Sequence, residues 1–214
     1  LEIAGQKVAF TICEDMWEQG PVMQARSVGA QLMININASP YHINKLSERQ
    51  ALLRRRSVEG GFPIIYVNMV GGQDELVFDG GSMVVTALGE CHALGPSYVE
   101  ALVPVVVQVG ESSEGPCEIP LQQIAPSLSL EAQVYQSLVL GVRDYARKNK
   151  FKKVVLGLSG GIDSALTLAI AADALGSDRV QAVMMPFTFT SAMSLDLAAQ
   201  QATKLGVDYQ QISI

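Results

Sequence analysis

Several things are scarce in this sequence. Only three of its 214 residues are cysteine, and Cys13, Cys91 and Cys117 are spaced neither as a disulfide framework nor as a metal site. That excludes a disulfide-stapled secreted domain and points to a reducing, cytoplasmic setting. Long apolar runs are missing, since none approaches the ~18–20 residues that cross a bilayer. No N-terminal stretch reads as a signal peptide. Charge is sparse at 17% of residues and its balance is −6, which argues against a nucleic-acid-binding surface. What the chain does have is apolar residues, 49% of the total, enough to bury a core and too many for a disordered chain. Its length suits one large or two small domains.

The first part reads as short apolar strands, at Val8 to Ile12, Leu32 to Asn37, Ile64 to Asn68, Phe78 to Ala87 and Leu102 to Val109. Helices are expected over Pro21 to Gly29 and Leu46 to Gly60, the second ended by Gly60-Gly61. Arg54-Arg55-Arg56 reads as a solvated face of that helix. Residues 111–126, rich in Ser, Glu and Pro, read as a linker between a domain at 1–110 and another at 127–214. The second part alternates cleanly. Helices at Ser129 to Lys150, Asp163 to Leu175 and Ser194 to Leu205 flank strands at Val154 to Leu158, Val180 to Met185 and Val207 to Ile214. That βαβαβ order predicts a parallel sheet.

Two segments carry chemistry. In the second part, Gly157-Leu158-Ser159-Gly160-Gly161-Ile162-Asp163-Ser164 joins a buried strand to a helix. The glycines let backbone approach an anion, and the helix N-terminus favours phosphate. Ser159 and Ser164 add hydroxyls. Asp163 is an odd neighbour for phosphate unless it also holds Mg²⁺, which takes carboxylate and phosphate oxygens together. The loop lacks the Lys of a Walker A sequence and is not G-x-G-x-x-G. In the first part, Cys13 follows an apolar strand, where a thiol can be exposed as a nucleophile. The plain alternative for a lone cysteine is a small buried hydrophobe.

The Ser159–Ser164 hexapeptide resembles the pyrophosphate loop of N-type ATP pyrophosphatases. Met185-Pro-Phe-Thr-Phe-Thr-Ser-Ala-Met-Ser-Leu-Asp196 is similar to the second loop of bacterial NAD⁺ synthetases. Val8-Ala-Phe-Thr-Ile-Cys-Glu-Asp-Met-Trp17 resembles the nucleophile segment of nitrilase-like glutaminase domains. Asn37-Ala-Ser-Pro-Tyr41 and Val70-Gly-Gly-Gln-Asp-Glu-Leu-Val-Phe-Asp-Gly-Gly-Ser82 look like later parts of the same domain. Together they resemble the glutamine-dependent NAD⁺ synthetases over nearly the whole chain. The implied fold is α/β: the C-terminal part of a nitrilase-like αββα sandwich, then the start of a Rossmann-like adenine-nucleotide α-hydrolase sheet.

The resemblance implies that ATP, with Mg²⁺ at Asp163, adenylates deamido-NAD⁺, and that ammonia from L-glutamine displaces AMP. Residues 157–164 would bind the ATP phosphates. Cys13 would be the nucleophile, Glu14 and Ser39 would contact the glutamine backbone groups, and Lys45 would pair with its carboxylate. A solvated helix-start cation is an equal reading of Lys45, with Arg49 as a substitute and Asp79 as a wall of the pocket. A homo-oligomer is expected as well, with no membrane or nucleic-acid partner. The family's Glu and Lys that assist the cysteine lie upstream of it, and the twelve residues before Cys13 offer only Glu2 and Lys7. Both chain ends fall in patterned segments, so a piece of a longer protein is expected, one that by itself does not hydrolyse glutamine. Two rivals stay open: an amidotransferase of the same pyrophosphatase type with another acceptor, and a non-catalytic adenine-nucleotide-binding module.

Overall fold

The computed structural model describes residues 1–109 and 115–214, which divide into two compact units. Of the linker expected over 111–126, residues 111–114 lie outside the described residues.

The first unit comprises residues 1–71 and 77–130. Its elements are β1 (Glu2–Ile3), β2 (Gln6–Ile12), α1 (Gln19–Ser27), β3 (Leu32–Asn37), α2 (Lys45–Gly60), β4 (Ile64–Asn68), β5 (Val70–Gln73), β6 (Leu76–Asp79), β7 (Met83–Val85) and β8 (Cys91–Leu94). Six strands form one sheet in the order β1-β2-β3-β4-β7-β8, in which β2, β3 and β4 run parallel and the remaining pairings are antiparallel. Side chains alternate across a strand, so one set must find a cover. Met33, Ile64, Tyr66, Met83 and Val85 point to the helical face and pack with Val22 and Ala25 of α1 and Leu52 and Leu53 of α2. On the opposite face Val8 and Leu32 meet Cys117, while Val84 and Ala93 meet Ile119. One helix layer on one sheet is half of the expected sandwich.

Three expectations fail here. Phe78 to Ala87 is not one strand: β6 ends at Asp79 and β7 spans Met83–Val85, with Gly80 at φ +70 and Gly81 at φ +62 turning the chain between them. Leu102 to Val109 is extended but is not a ladder strand; among the described residues its backbone pairing is the single bridge Gln108–Glu118. Pro104 has no N–H to give, and the Gln122 side chain takes the place of a strand, accepting from Val106 N–H at 2.9 Å and donating to Val106 C=O at 3.2 Å. The arginine run is not one solvated face either: Arg54 and Arg55 are exposed, but Arg56 is only 5% exposed.

The second unit comprises residues 72–76 and 131–214. It holds α3 (Leu130–Lys148), β9 (Val154–Gly157), α4 (Ile162–Leu175), β10 (Val180–Met184), α5 (Ala192–Leu205) and β11 (Asp208–Gln211). The three strands are parallel in the order β11-β10-β9, as the βαβαβ pattern requires. Alanines 171, 174, 182, 198 and 202 let helices sit close to the sheet around Leu168, Leu158 and Met184. The helix over 192–205 starts two residues earlier than the sequence suggests, because Ser191 rather than Ser194 caps it: Ser191 Oγ accepts Ser194 N–H at 3.1 Å. Among the described residues no helix is long and apolar enough to cross a membrane.

Candidate active sites

Each unit carries one candidate site at the C-terminal ends of parallel strands, where open α/β sheets present their loops.

In the first unit β2 ends in a single turn of 3₁₀ helix, Cys13–Met16, and Cys13 takes the left-handed conformation, φ +46. A non-glycine residue is strained there and persists only when its surroundings hold it. The Asp15 carboxylate accepts Ile12 N–H at 2.9 Å, Trp17 N–H donates to Glu14 C=O at 2.9 Å, and the Met16 side chain is fully buried. This sharp strand-to-turn passage leaves the Cys13 thiol half-buried and Glu14 exposed. Burial pushes the Cys91 and Cys117 thiols up from the ordinary cysteine value.

Lys45 opens α2 and its ammonium lies 4.3 Å from the centre of the Trp17 ring, a cation–π contact that ties it to the cysteine turn. Its Nζ is 3.8 Å from Glu48, and its side chain is 14% exposed. Ser39 is buried in the loop after β3. Its N–H donates to Asn68 Oδ1 at 2.9 Å, its C=O accepts from Arg49 Nη2 at 3.2 Å, and its Oγ accepts from Arg49 Nε at 3.3 Å.

Arg49 is therefore no substitute ligand for a carboxylate arriving from solvent. It is 0% exposed and already holds Asp79 with two prongs, at 2.6 and 3.1 Å, and Gly80 C=O at 3.3 Å. The pair fixes the Ser39 loop from below, and Asp79 acts through it. Sequence reading also missed a polar row beneath the turn. Thr11, Asn35 and Tyr66 lie in register across β2, β3 and β4 on the helical face. Asn35 donates to Thr11 Oγ1 at 3.0 Å, and its Oδ1 is buried with no hydrogen-bond partner among the described residues. Burial raises the Tyr66 pKa against the opposing pull of Arg49. The signal was present: polar residues at alternate positions of Leu32-Met-Ile-Asn-Ile-Asn37 occupy the face that Met33 shares with the core. Glu2 and Lys7 pair across β1 and β2. Lys7 is separated from Cys13 by six residues, about 20 Å of extended chain, and so cannot serve it.

In the second unit Leu158 plugs the core at 1% exposure and the loop after it turns back to solvent. Gly160 has φ +79, and a Cβ there would lie 2.3 Å from the Ser194 carbonyl oxygen. Only glycine permits that approach of the loop to the start of α5. Ser164 Oγ accepts Ser159 N–H at 3.2 Å and donates to Gly161 C=O at 3.0 Å, and Ser159 Oγ accepts Gly161 N–H at 3.2 Å. The N-cap of α4 is Gly161, which has no side chain to cap it, and an uncapped first turn can receive an anion. Ile162 and Asp163 are exposed. A cleft of about 280 Å³, lined by Gly157, Ser159, Met185 and Thr190 among others, opens beside the loop. Among the described residues no cluster of three or more His, Cys, Asp or Glu is set to hold a metal. Asp163 alone suits an ion such as Mg²⁺ that takes one or two carboxylates and completes its shell with phosphate and water.

Residues 1–113 match the family model for carbon-nitrogen hydrolases, and residues 134–214 match that for NAD synthases. The glutamine-dependent NAD(+) synthetase of Xylella fastidiosa (strain 9a5c) is 45% identical over 100% of this chain, which covers 38% of that protein. The enzyme of the same description from Acinetobacter baylyi is 42% identical over 97% of the chain. Among solved structures, the glutamine-dependent NAD⁺ synthetase of Acinetobacter baumannii in complex with ADP superimposes with a TM-score of 0.92 at 41% identity, covering 100% of this chain and 40% of that one. The chain thus spans about two fifths of the length of these relatives.

Proposed function

Since the chain belongs to the carbon-nitrogen hydrolase family, we propose that it is part of a glutamine-dependent NAD⁺ synthetase, with a glutaminase site at Cys13 and an ATP-pyrophosphatase site at residues 157–164. One observation carries the reading: a strained cysteine at a strand end and an uncapped Ser-Gly-Gly loop occur in one chain, each in the matching family's segment.

In the first site Cys13 Sγ attacks the glutamine carboxamide carbon. The C–N bond breaks, ammonia leaves, and water then releases glutamate from the thioester. Glu14 and Ser39 contact the glutamine backbone groups. The Lys45 ammonium, held over Trp17, pairs with the glutamine carboxylate. The base that takes the thiol proton is assigned to neither Glu2 nor Lys7, so these residues alone do not hydrolyse glutamine.

In the second site the loop N–H groups and the Ser159 and Ser164 hydroxyls hold the ATP phosphates. The carboxylate oxygen of deamido-NAD⁺ bonds to the α-phosphorus and pyrophosphate departs. Ammonia then attacks the activated carbonyl carbon and AMP leaves, giving NAD⁺. Asp163 would hold Mg²⁺, which neutralises phosphate charge when bound. Three unpaired cysteines suit a cytoplasmic setting. Homo-oligomeric assembly belongs to the same reading.

The test is pyrophosphate release from ATP by the intact enzyme with ammonium as nitrogen donor. Release that requires deamido-NAD⁺ and fails with other carboxylate acceptors is expected. Release with a different acceptor would favour another amidotransferase, and none with any acceptor a non-catalytic nucleotide-binding module.

A further inference from the structure

The cysteine turn is held from behind by a residue that no part of the mechanism above uses. We propose that Arg56 is a positioning residue for the Cys13 thiol, clamping the carbonyl end of the turn whose first residue is the nucleophile. The inference rests on the reading of Cys13 as the glutaminase nucleophile.

Arg56 lies on α2, 5% exposed. Its Nε donates to Met16 C=O at 2.9 Å, its Nη2 donates to Trp17 C=O, and its Nη1 donates to Glu59 Oε2 at 2.7 Å. The last carbonyls of a short helix have no partner inside it, and a cation is favoured there. Arg56 fills both needs and leaves from one planar fork toward three acceptors. Lysine, a point charge on a flexible stem, cannot reproduce that fork.

The other hydrogen bonds of the turn are local. The Asp15–Ile12 and Trp17–Glu14 bonds close it on itself. Met16 anchors its middle in the core, and Lys45 leans on its Trp17 end. Arg56 differs in fixing the turn's backbone to α2, the helix whose Arg49 also fixes the Ser39 loop. Two arginines seven residues apart, so two turns along one helix, hold the two loops that carry Cys13 and Ser39. A slack turn would let Cys13 leave its strained conformation, and the thiol would then be misdirected although still present.

The experiment compares intact wild type, Arg56→Lys, Arg56→Met and Cys13→Ala, each supplied with glutamine or with ammonium. Arg56→Lys is expected to lower the glutamine-supported kcat about tenfold, with KM for glutamine within about threefold and the ammonium-supported rate within about twofold. Arg56→Met is expected to lower the glutamine-supported rate further. If the methionine variant does not fold, Arg56→Lys, which keeps the charge and the aliphatic stem, decides alone. A glutamine-supported kcat within about twofold of wild type in Arg56→Lys, with Cys13→Ala inactive, overturns the positioning role and leaves the nucleophile in place. Equal loss of both rates in Arg56→Lys overturns it too, since that is the mark of general structural damage. Glutamine turnover surviving in Cys13→Ala refutes the nucleophile itself, and the inference falls with it.

Discussion

An alanine at position 160 has nowhere to put its methyl group. The left-handed backbone costs a non-glycine residue roughly 1–2 kcal/mol, and the methyl would press within 2.3 Å of Ser194 C=O and 2.8 Å of Ser194 Cα. Position 161 is different, because its nearest neighbour would be Ser159 Oγ at 3.4 Å and its φ is −89. Gly160→Ala is therefore expected to cut ATP-dependent pyrophosphate release by at least about tenfold. Gly161→Ala should leave the unfolding midpoint close to wild type, within about 1 kcal/mol of stability. Pyrophosphate assay and urea melts read the two effects, and equal tolerance at both positions would contradict the packing argument. The glycine pair was legible in the sequence; which of the two is indispensable was not, because the clash comes from a residue 34 positions away. The same limit governs the arginines. Helical spacing puts Arg49 and Arg56 on the face of Leu52 and Leu53 and leaves Arg54 and Arg55 off it, but no local signal names the partners that a buried arginine needs. Those partners are Asp79 and the carbonyls of Met16 and Trp17.

Helices α3 and α4 are joined by a bond with its own pH signature. The Tyr135 hydroxyl donates to Asp173 Oδ2 at 2.6 Å, and this bond, with burial and the carboxylate's charge behind it, pushes the phenol up to about 12. A raised pKa means that the folded state favours the protonated form. The contribution is whole below about pH 10, the ordinary tyrosine value, and is lost as pH rises toward about 12. The stability difference between wild type and Tyr135→Phe is expected to stay level up to about pH 10 and to shrink above it, as read by denaturant melts across pH. A difference that stays level above pH 10 would contradict the assignment. Most elements were legible as short apolar runs bounded by turn residues: Leu32–Asn37 and Ile64–Asn68 begin and end where the sequence places them. The segment at 102–109 was not, because alternation of Val103, Val105 and Val107 looks the same whether or not a neighbouring strand supplies hydrogen bonds. There Gln122 supplies them instead.

At the scale of the whole molecule, two family segments follow one another in a chain that covers 38% of its Xylella relative. The order of the two family segments was readable from the motifs alone. The supports of each were not, because they come from residues distant in sequence: Arg56 for the cysteine turn, Arg49 and Asp79 for Ser39, and Ser194 for the glycine loop. The central claim is that Cys13 serves only to liberate ammonia that the second site consumes. It is tested most directly by measuring NAD⁺ formation in the intact enzyme carrying Cys13→Ala, with glutamine and separately with ammonium as donor. The expected result is loss of glutamine-supported synthesis by at least about a hundredfold, with ammonium-supported synthesis within about twofold of wild type. Equal loss with both donors, or retained synthesis from glutamine, would contradict it.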